Sequence, residues 1–385
     1  MPARLSNKKV TFFITAMLLI TLAVGGITYA QSTGPQVKEL SLQQAIDLAM
    51  ANNNDLKLAR IETKKAERDL DLAEKTADDI DLDRVSTYDL GKLKWVAPRA
   101  AQMAVTLAKE KEQFTEKSTK LAVEGAYYNV LKAQKMLQIK KDTLNYAKDQ
   151  LAIVQNSYQL GTVAKSDVLA VEALVAASEA GVTSAQNDLS LAVMKLNELI
   201  GLDIDTQLKL TDKFEYVPMK DVNVADEVYK ALQNNIEIIS VRENQAVKEK
   251  EYEVARKYYS GGVVYFDKAK LDAEAANVAV NKQEVATTLA VKQDYLSLKA
   301  LEKSIAYKQK EVEKQREVVR IDMLKFKAGL LTNQDVKKST IDLETAEQGL
   351  TELIYNYNQL KSKFKYGLFI SGLTAGASSS TGAAY

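Results

Sequence analysis

The chain has 385 residues, with 52 Lys plus Arg against 51 Asp plus Glu, no histidine and no cysteine. With neither thiol nor imidazole there is no disulfide, no thiol nucleophile, no imidazole base and no usual zinc ligand set, so no catalytic residue, metal or cofactor is expected. Balanced charge gives no net field to attract nucleic acid, and no Gly-x4-Gly-Lys-Ser/Thr loop is present to hold a nucleotide.

Residues 1–30 read as a signal peptide. Arg4, Lys8 and Lys9 form a basic start, Val10 to Val24 is apolar, and Thr28-Tyr29-Ala30 precedes Gln31, the expected first mature residue. An uncleaved anchor is the alternative, because the apolar stretch approaches the minimum for crossing a bilayer. No later segment is read as transmembrane.

Ala45 to Leu56 (AIDLAMANNNDL) is matched by Asp226 to Ile238 (DEVYKALQNNIEI), aligning Asn52-Asn53 with Asn234-Asn235 at an offset of 182. After each pair the helix is expected to resume, to about Ala73 and Arg256. Prolines occur only at 2, 35, 98 and 218. Pro98 fits the first turn of a helix, and the helix from there to Leu160 would be roughly 93 Å long.

Within that helix Val130, Leu137, Leu144, Leu151 and Tyr158 recur every seven residues. Adding 168 gives Leu298, Ile305, Val312, Val319 and Phe326. Each series ends at a glycine, Gly161 or Gly329, which can close a helix in the left-handed conformation. Six residues on come Asp167-Val168 and Asp335-Val336. Second series follow through Val168, Val175, Val182, Leu189 and Leu196, and through Val336, Leu343, Leu350, Tyr357 and Phe364. Sevenfold apolar spacing keeps one seam facing a partner helix under left-handed supercoiling. The expected unit is thus a long antiparallel helical hairpin, present twice. Ser166 or Asp167 is expected to cap the returning helix of the first copy, and Thr332 or Asn333 that of the second. The basic stretches Lys132–Lys148 and Lys299–Arg316 read as solvated helix faces.

The organisation expected is a first repeat over 31–202, a connector over 203–218 with one or two short strands, a second repeat over 219–367 and a disordered tail over 368–385. The connector alternates weakly at Leu202, Ile204, Leu208 and Leu210. The tail is rich in Gly, Ala, Ser and Thr.

The duplicated body, the Ala-Leu-x-x-Asn-like start of each copy and the Tyr-x-x-Gly-x5-Asp-Val hairpin resemble the TolC-like outer-membrane efflux protein family, from Leu40 to about Gly367. SYQLGTVAKSDVLAVEAL, Ser157 to Leu174, is the nearest single stretch. The resemblance implies a mainly α fold, a homotrimer in which six hairpins close an α-barrel duct. It also implies hairpin tips that dock on a periplasmic adaptor (membrane fusion) protein driven by an inner-membrane pump. Carried over by position, the partner-binding tip residues are Gly161, Ser166, Asp167, Val168, Gly329, Asp335 and Val336.

The chain departs from that family where its members carry β-hairpins for a membrane barrel, whose strands need about 9–11 alternating residues. The only candidates are Asp79–Ala97, which holds the sole tryptophan, Trp95, and Tyr258–Phe266. Neither supplies two full strands, so barrel strands are expected to be absent or vestigial and direct outer-membrane insertion is doubtful. The family's proline after the asparagine is Asn54 in one copy and Ile236 in the other, and Lys338 stands where a carboxylate is common. The function implied is a passive exit duct of an efflux or type I-like secretion system in the cell envelope, at the outer membrane by resemblance but periplasmic or wall-associated by the missing strands. The alternative is a non-conducting coiled-coil spacer of the envelope. An enzyme is not expected: Asp78-Asp79 is a solvated pair in a polar segment.

Overall fold

The computed structural model describes residues 37–220 and 222–369. The expected signal peptide and tail residues 370–385 lie outside that range. The fold is mainly α. Helix α1 (Leu42–Asn52) starts at a reciprocal capping box, in which the Ser41 hydroxyl accepts from the Gln44 amide and the Gln44 side chain accepts from the Ser41 amide. Asn53 then breaks the chain, and its side chain accepts from the Leu56 amide at 2.7 Å to start α2 (Asn54–Asp78). The second half repeats the device. Helix α6 (Val224–Asn234) gives way to α7 (Ile236–Tyr258), and Asn235 accepts from the Glu237 amide at 2.7 Å. The asparagine pairs are therefore helix breaks. Asn54 and Ile236 occupy the first helical position, where proline is tolerated, which accounts for that position's proline in the family pattern.

Between α2 and the long helix, the strand candidate 79–97 holds no strand. Leu82–Arg84 is a 3-10 turn, α3 is Tyr88–Gly91, and Lys92–Val96 is a π-turn that runs into α4 (Ala97–Gln159). Pro98 lies in its first turn as expected. In the second half 259–263 turn directly into α8 (Val264–Lys327). The 14-residue difference between the two offsets thus arises mainly at this end of the molecule, which we call the apex. Helices α5 (Lys165–Ile200) and α9 (Asn333–Tyr366) complete the hairpins.

At 63 and 64 residues, α4 and α8 are each roughly 95 Å long. In the lower half, helices neighbour one another in the order α5, α4, α9, α8; in the upper half the order is α2, α4, α7, α8. The seam predicted at 298, 305, 312 and 319 is buried throughout, as are Val130 and Leu137. Tyr158 is instead exposed, and Leu144 and Leu151 are half-buried. Helix α9 is covered on both sides, whereas α5 is an edge helix and the seam of α4 becomes more exposed toward its tip.

The connector holds one strand. Strand β2 (Leu208–Leu210) pairs in parallel with β1 (Lys38–Leu40), joining Lys38 to Leu208 and Leu40 to Leu210. Two buried tyrosines strap the connector to the helices. Tyr127 donates to Asp212 Oδ2 at 2.7 Å, and Asp212 in turn accepts from the Leu42 amide at 2.8 Å. The Tyr357 hydroxyl accepts from the Met219 amide at 2.7 Å, with Tyr216 packed against its ring at 4.9 Å. Leu368 and Phe369, assigned above to a disordered tail, are buried: Phe369 meets Phe364 at 5.0 Å, and its carbonyl accepts from Asn235.

These phenols define an alkaline limit. Burial, with Glu302 nearby, pushes Tyr357 up to about 12, and burial raises Tyr127 further. A raised phenol pKa favours the neutral form in the fold, so this stabilisation is complete below the ordinary value of 10.0 and is lost as pH rises through the folded-state value. The connector is expected to detach between pH 10 and about 12, read as faster amide exchange over 202–219. Tyr357→Phe should lower the onset of exchange at neutral pH while removing part of the alkaline dependence.

Candidate functional site at the hairpin tips and helix edges

Both tips turn on a glycine with positive φ, 74° at Gly161 and 72° at Gly329. Nothing lies within 4 Å of a Cβ built on either, so conformation rather than space requires glycine there. The helix closes through Thr162 N–H to Ser157 O and Leu330 N–H to Lys325 O, both 2.9 Å.

Restarting differs between the tips. In the second, Thr332 is the cap and Asp335 its reciprocal partner: the Thr332 hydroxyl accepts from the Asp335 amide at 3.3 Å, and Asp335 Oδ2 accepts from the Thr332 amide at 3.0 Å. The bonds from Thr332, with help from Lys338, hold the Asp335 carboxyl below its ordinary range. In the first tip the cap position is Ala164, not Ser166 or Asp167. Alanine has no acceptor, so only half the box forms, with Asp167 accepting from the Ala164 amide at 3.1 Å. Both aspartates therefore serve as the third helical residue, where a carboxylate also suits the helix dipole.

Gly161, Ser166, Asp167, Gly329 and Asp335 are exposed, but Val168 and Val336 are buried at 9% and 0% exposure. These two valines form the inside of the tip: Val168 packs with Val154, Val171 and Phe326 of the neighbouring hairpin. The most exposed apolar side chains at the tips are Leu160 and Leu330, at 80% and 74%. The seven-residue series passed over both because each falls outside the seam.

The two hairpins are joined laterally by a polar ladder between α4 and α9. Glu124, 2% exposed, accepts from Lys365 at 2.5 Å and from Tyr366 at 2.6 Å. Lys132 pairs with Glu352 at 3.2 Å, Lys140 with Glu344, and Gln150 donates to the Asn333 carbonyl at 3.0 Å. As α4 positions rise their α9 partners fall, which is the antiparallel register. Lys132–Lys148 is thus not simply a solvated face. Likewise Arg316, from the other basic stretch, bonds Glu347 of α9 at 2.6 Å.

The edges are apolar. Helix α8 buries Ala269, Ala273, Ala276 and Val280, yet its other face exposes Leu271, Val278, Val285, Leu289 and Leu296 at 57–69%. At the opposite edge α2 exposes Leu58, Ile61 and Leu72 at 57–65%. Lower down, α5 contains an 18-residue window of mean hydropathy 1.4, of which 11% is buried. The window meets the length and composition of a membrane span, which the sequence analysis did not anticipate. Its hydropathy comes from alanine and valine, with Ala173, Ala176, Ala177 and Ala180 exposed along a helix that is already paired with α4. A helix apolar on two faces has one partner too few in a single chain. The signal lay in the sequence as a second seven-residue phase through 271, 278 and 285. Among the described residues no cluster of His, Cys, Asp or Glu could hold a metal.

Residues 87–202 match the family model for "Outer membrane efflux protein". No curated protein matches the chain by sequence. Among solved structures, the chain is similar to the CmeC outer membrane channel of Campylobacter jejuni, with a TM-score of 0.70 and 14% identity over 86% of each chain. It superposes on VceC, an outer membrane protein of Vibrio cholerae, with a TM-score of 0.71 and 14% identity, covering 85% of this chain and 95% of that one. For CusC the TM-score is 0.71 and the identity 15%, covering 89% and 95%. That family and these neighbours are channels, not enzymes. Residues 87–202 thus match the outer membrane efflux protein family, and the chain as a whole has the helical-duct fold of the TolC-like channels.

Proposed function

We propose that this chain is one protomer of a homotrimeric exit duct in the cell envelope, the passive component of an efflux or type I-like secretion system. An inner-membrane pump supplies the energy through a periplasmic adaptor that grips the tips. The observation that carries this reading is the pair of unsatisfied apolar edges. The face of α8 at 271–296 and the face of α2 at 58–72 belong to the two end helices of the upper row, so a ring of copies would bury both at every junction. The tips lie at one end of helices long enough to form a duct, with Leu160 and Leu330 presented beside Asp167 and Asp335. Within this reading 31–202 and 219–367 are tandem repeats, 1–30 a cleaved export signal and 203–218 the connector. The short turns at 79–96 and 259–263 favour a periplasmic or wall-associated setting for the duct.

The deciding experiment is light scattering with negative-stain microscopy on the chain from Gln31 to Tyr385 in detergent-free buffer. An elongated trimer with a central lumen is expected. A monomeric or dimeric rod would replace the duct with the envelope spacer.

A further inference from the structure

The apex, formed by 82–96 and 252–266, carries seven aromatic side chains, whereas the tip segments 151–171 and 319–340 carry two, Tyr158 and Phe326. Its base is packed. Tyr88, Val254, Ala255 and Ala269 are buried together, and Tyr258 donates to the Val85 carbonyl at 3.0 Å. A Cβ on Gly91 would lie 2.8 Å from both Tyr258 and Val254, so the two turns close on each other and form one body. Above that base the rings continue outward. Tyr259 lies 5.3 Å from Tyr88 and stacks on Tyr265 at 5.6 Å. The outermost side chains remain largely open to solvent: Val264 is 76% exposed, Leu82 69%, Tyr265 61% and Leu93 46%.

Lysines border this surface. Lys92 Nζ sits 4.7 Å over the Tyr88 ring, and Lys257 Nζ 4.2 Å over that of Trp95. Stacked tyrosines, one tryptophan, flanking lysines and a few protruding aliphatics match the chemistry of the lipid headgroup region. There amphipathic rings settle at the polar boundary and lysines reach phosphate. Charge selects the lipid. Segments 78–96 and 250–268 hold eight acidic and seven basic side chains. Such a surface complements a zwitterionic headgroup, with ammonium groups for its phosphate and Asp79, Asp81 and Asp83 for its cation, and it gains nothing from a net anionic membrane.

We infer that the apex is a shallow lipid-binding foot, which seats the protein on a zwitterionic bilayer surface through Leu82, Leu93, Val264 and Tyr265 without crossing it. The foot depends on the fold and not on conduction or on the tips, so it stands or falls separately from the duct.

The chain contains a single tryptophan, Trp95, which makes the apex its own reporter even if the N-terminal apolar segment also binds lipid. The full chain would be titrated with phosphatidylcholine vesicles brominated high on the acyl chains. Trp95 fluorescence should be quenched, and more strongly when the tryptophan is moved to the turn by Trp95→Phe with Tyr265→Trp. Val264→Asp with Leu93→Asp should weaken the quenching titration by at least about tenfold, and the curve should be the same at low and high salt. Circular dichroism of this variant establishes that it remains helical. The foot is overturned by any of three results: no quenching of either tryptophan, quenching only with anionic vesicles, or a blue shift that follows protein concentration without lipid. The last would mean that a second copy covers the apex.

Discussion

Replacing Val278 and Leu296 together with aspartate is expected to abolish the proposed trimer while each chain stays helical. Both side chains point away from their own fold, 66% exposed in each case, so the substitutions leave the interior of the protomer untouched. Aspartate in a helix interior costs about half a kcal/mol in propensity, which is small against helices held by seams of some sixty residues. At a closed junction the cost is of another order. Each substitution forfeits about 1.5–3 kcal/mol of apolar burial and leaves an unpaired carboxylate facing Leu58, Ile61 or Leu72 on the adjoining copy, a further penalty of several kcal/mol. Because about 1.4 kcal/mol is a factor of ten in an equilibrium constant, assembly should weaken by more than a thousandfold. Sedimentation of the double variant should show a monomer with unchanged helicity. If the trimer survived, the 271–296 face would not be the closing edge, and the alanine face of α5 would take its place as the primary junction.

The features legible in the sequence were those that repeat. Hairpins, glycine turns and asparagine breaks all leave one residue type at a fixed interval, and physical chemistry ties each to one local geometry. The features missed depend on which helix becomes a neighbour. Seven-residue spacing identifies a seam but not how many faces of a helix are apolar, so the outward phase of α8 at 271, 278 and 285 stayed hidden behind the inward one. The same blindness placed Tyr158 in the seam and Lys132 and Lys140 in solvent. Whether a lysine is free depends on Glu352 and Glu344 arriving from more than 200 positions away. At the apex, alternating fragments such as those in 79–97 can be read as strand when no partner is in view. The structure instead winds 88–96 into α3 and a π-turn directed into α4, with Gly91 seated against Tyr258.

At the tips, Leu160→Asp with Leu330→Asp is expected to stop export without affecting the trimer. These leucines, 80% and 74% exposed, make no contribution to the tip interior, which is built from Val154, Val168, Val171 and Phe326. Anchors that fill a partner's pocket typically cost more than about 2 kcal/mol each when lost, so adaptor affinity should fall by at least about a thousandfold for the pair. The aspartates need a finer comparison, because their structural and docking roles are superposed on one carboxylate. Asp167→Arg with Asp335→Arg removes both charge and capping, at about 1 kcal/mol per helix start. Asp167→Asn with Asp335→Asn keeps an acceptor for the Ala164 and Thr332 amides and removes only the charge. If the tip carboxylates contact the adaptor, both pairs of substitutions lose export; if they only cap, the arginine pair is weakened and the asparagine pair exports normally. Dye efflux from cells carrying each variant measures the outcome. Because the chain has no cysteine, a single cysteine placed at 160 or 330 can be crosslinked to the adaptor without background, reporting docking separately from transport. Normal efflux by the leucine pair, with undiminished crosslinking, would remove the tips from the pathway of assembly.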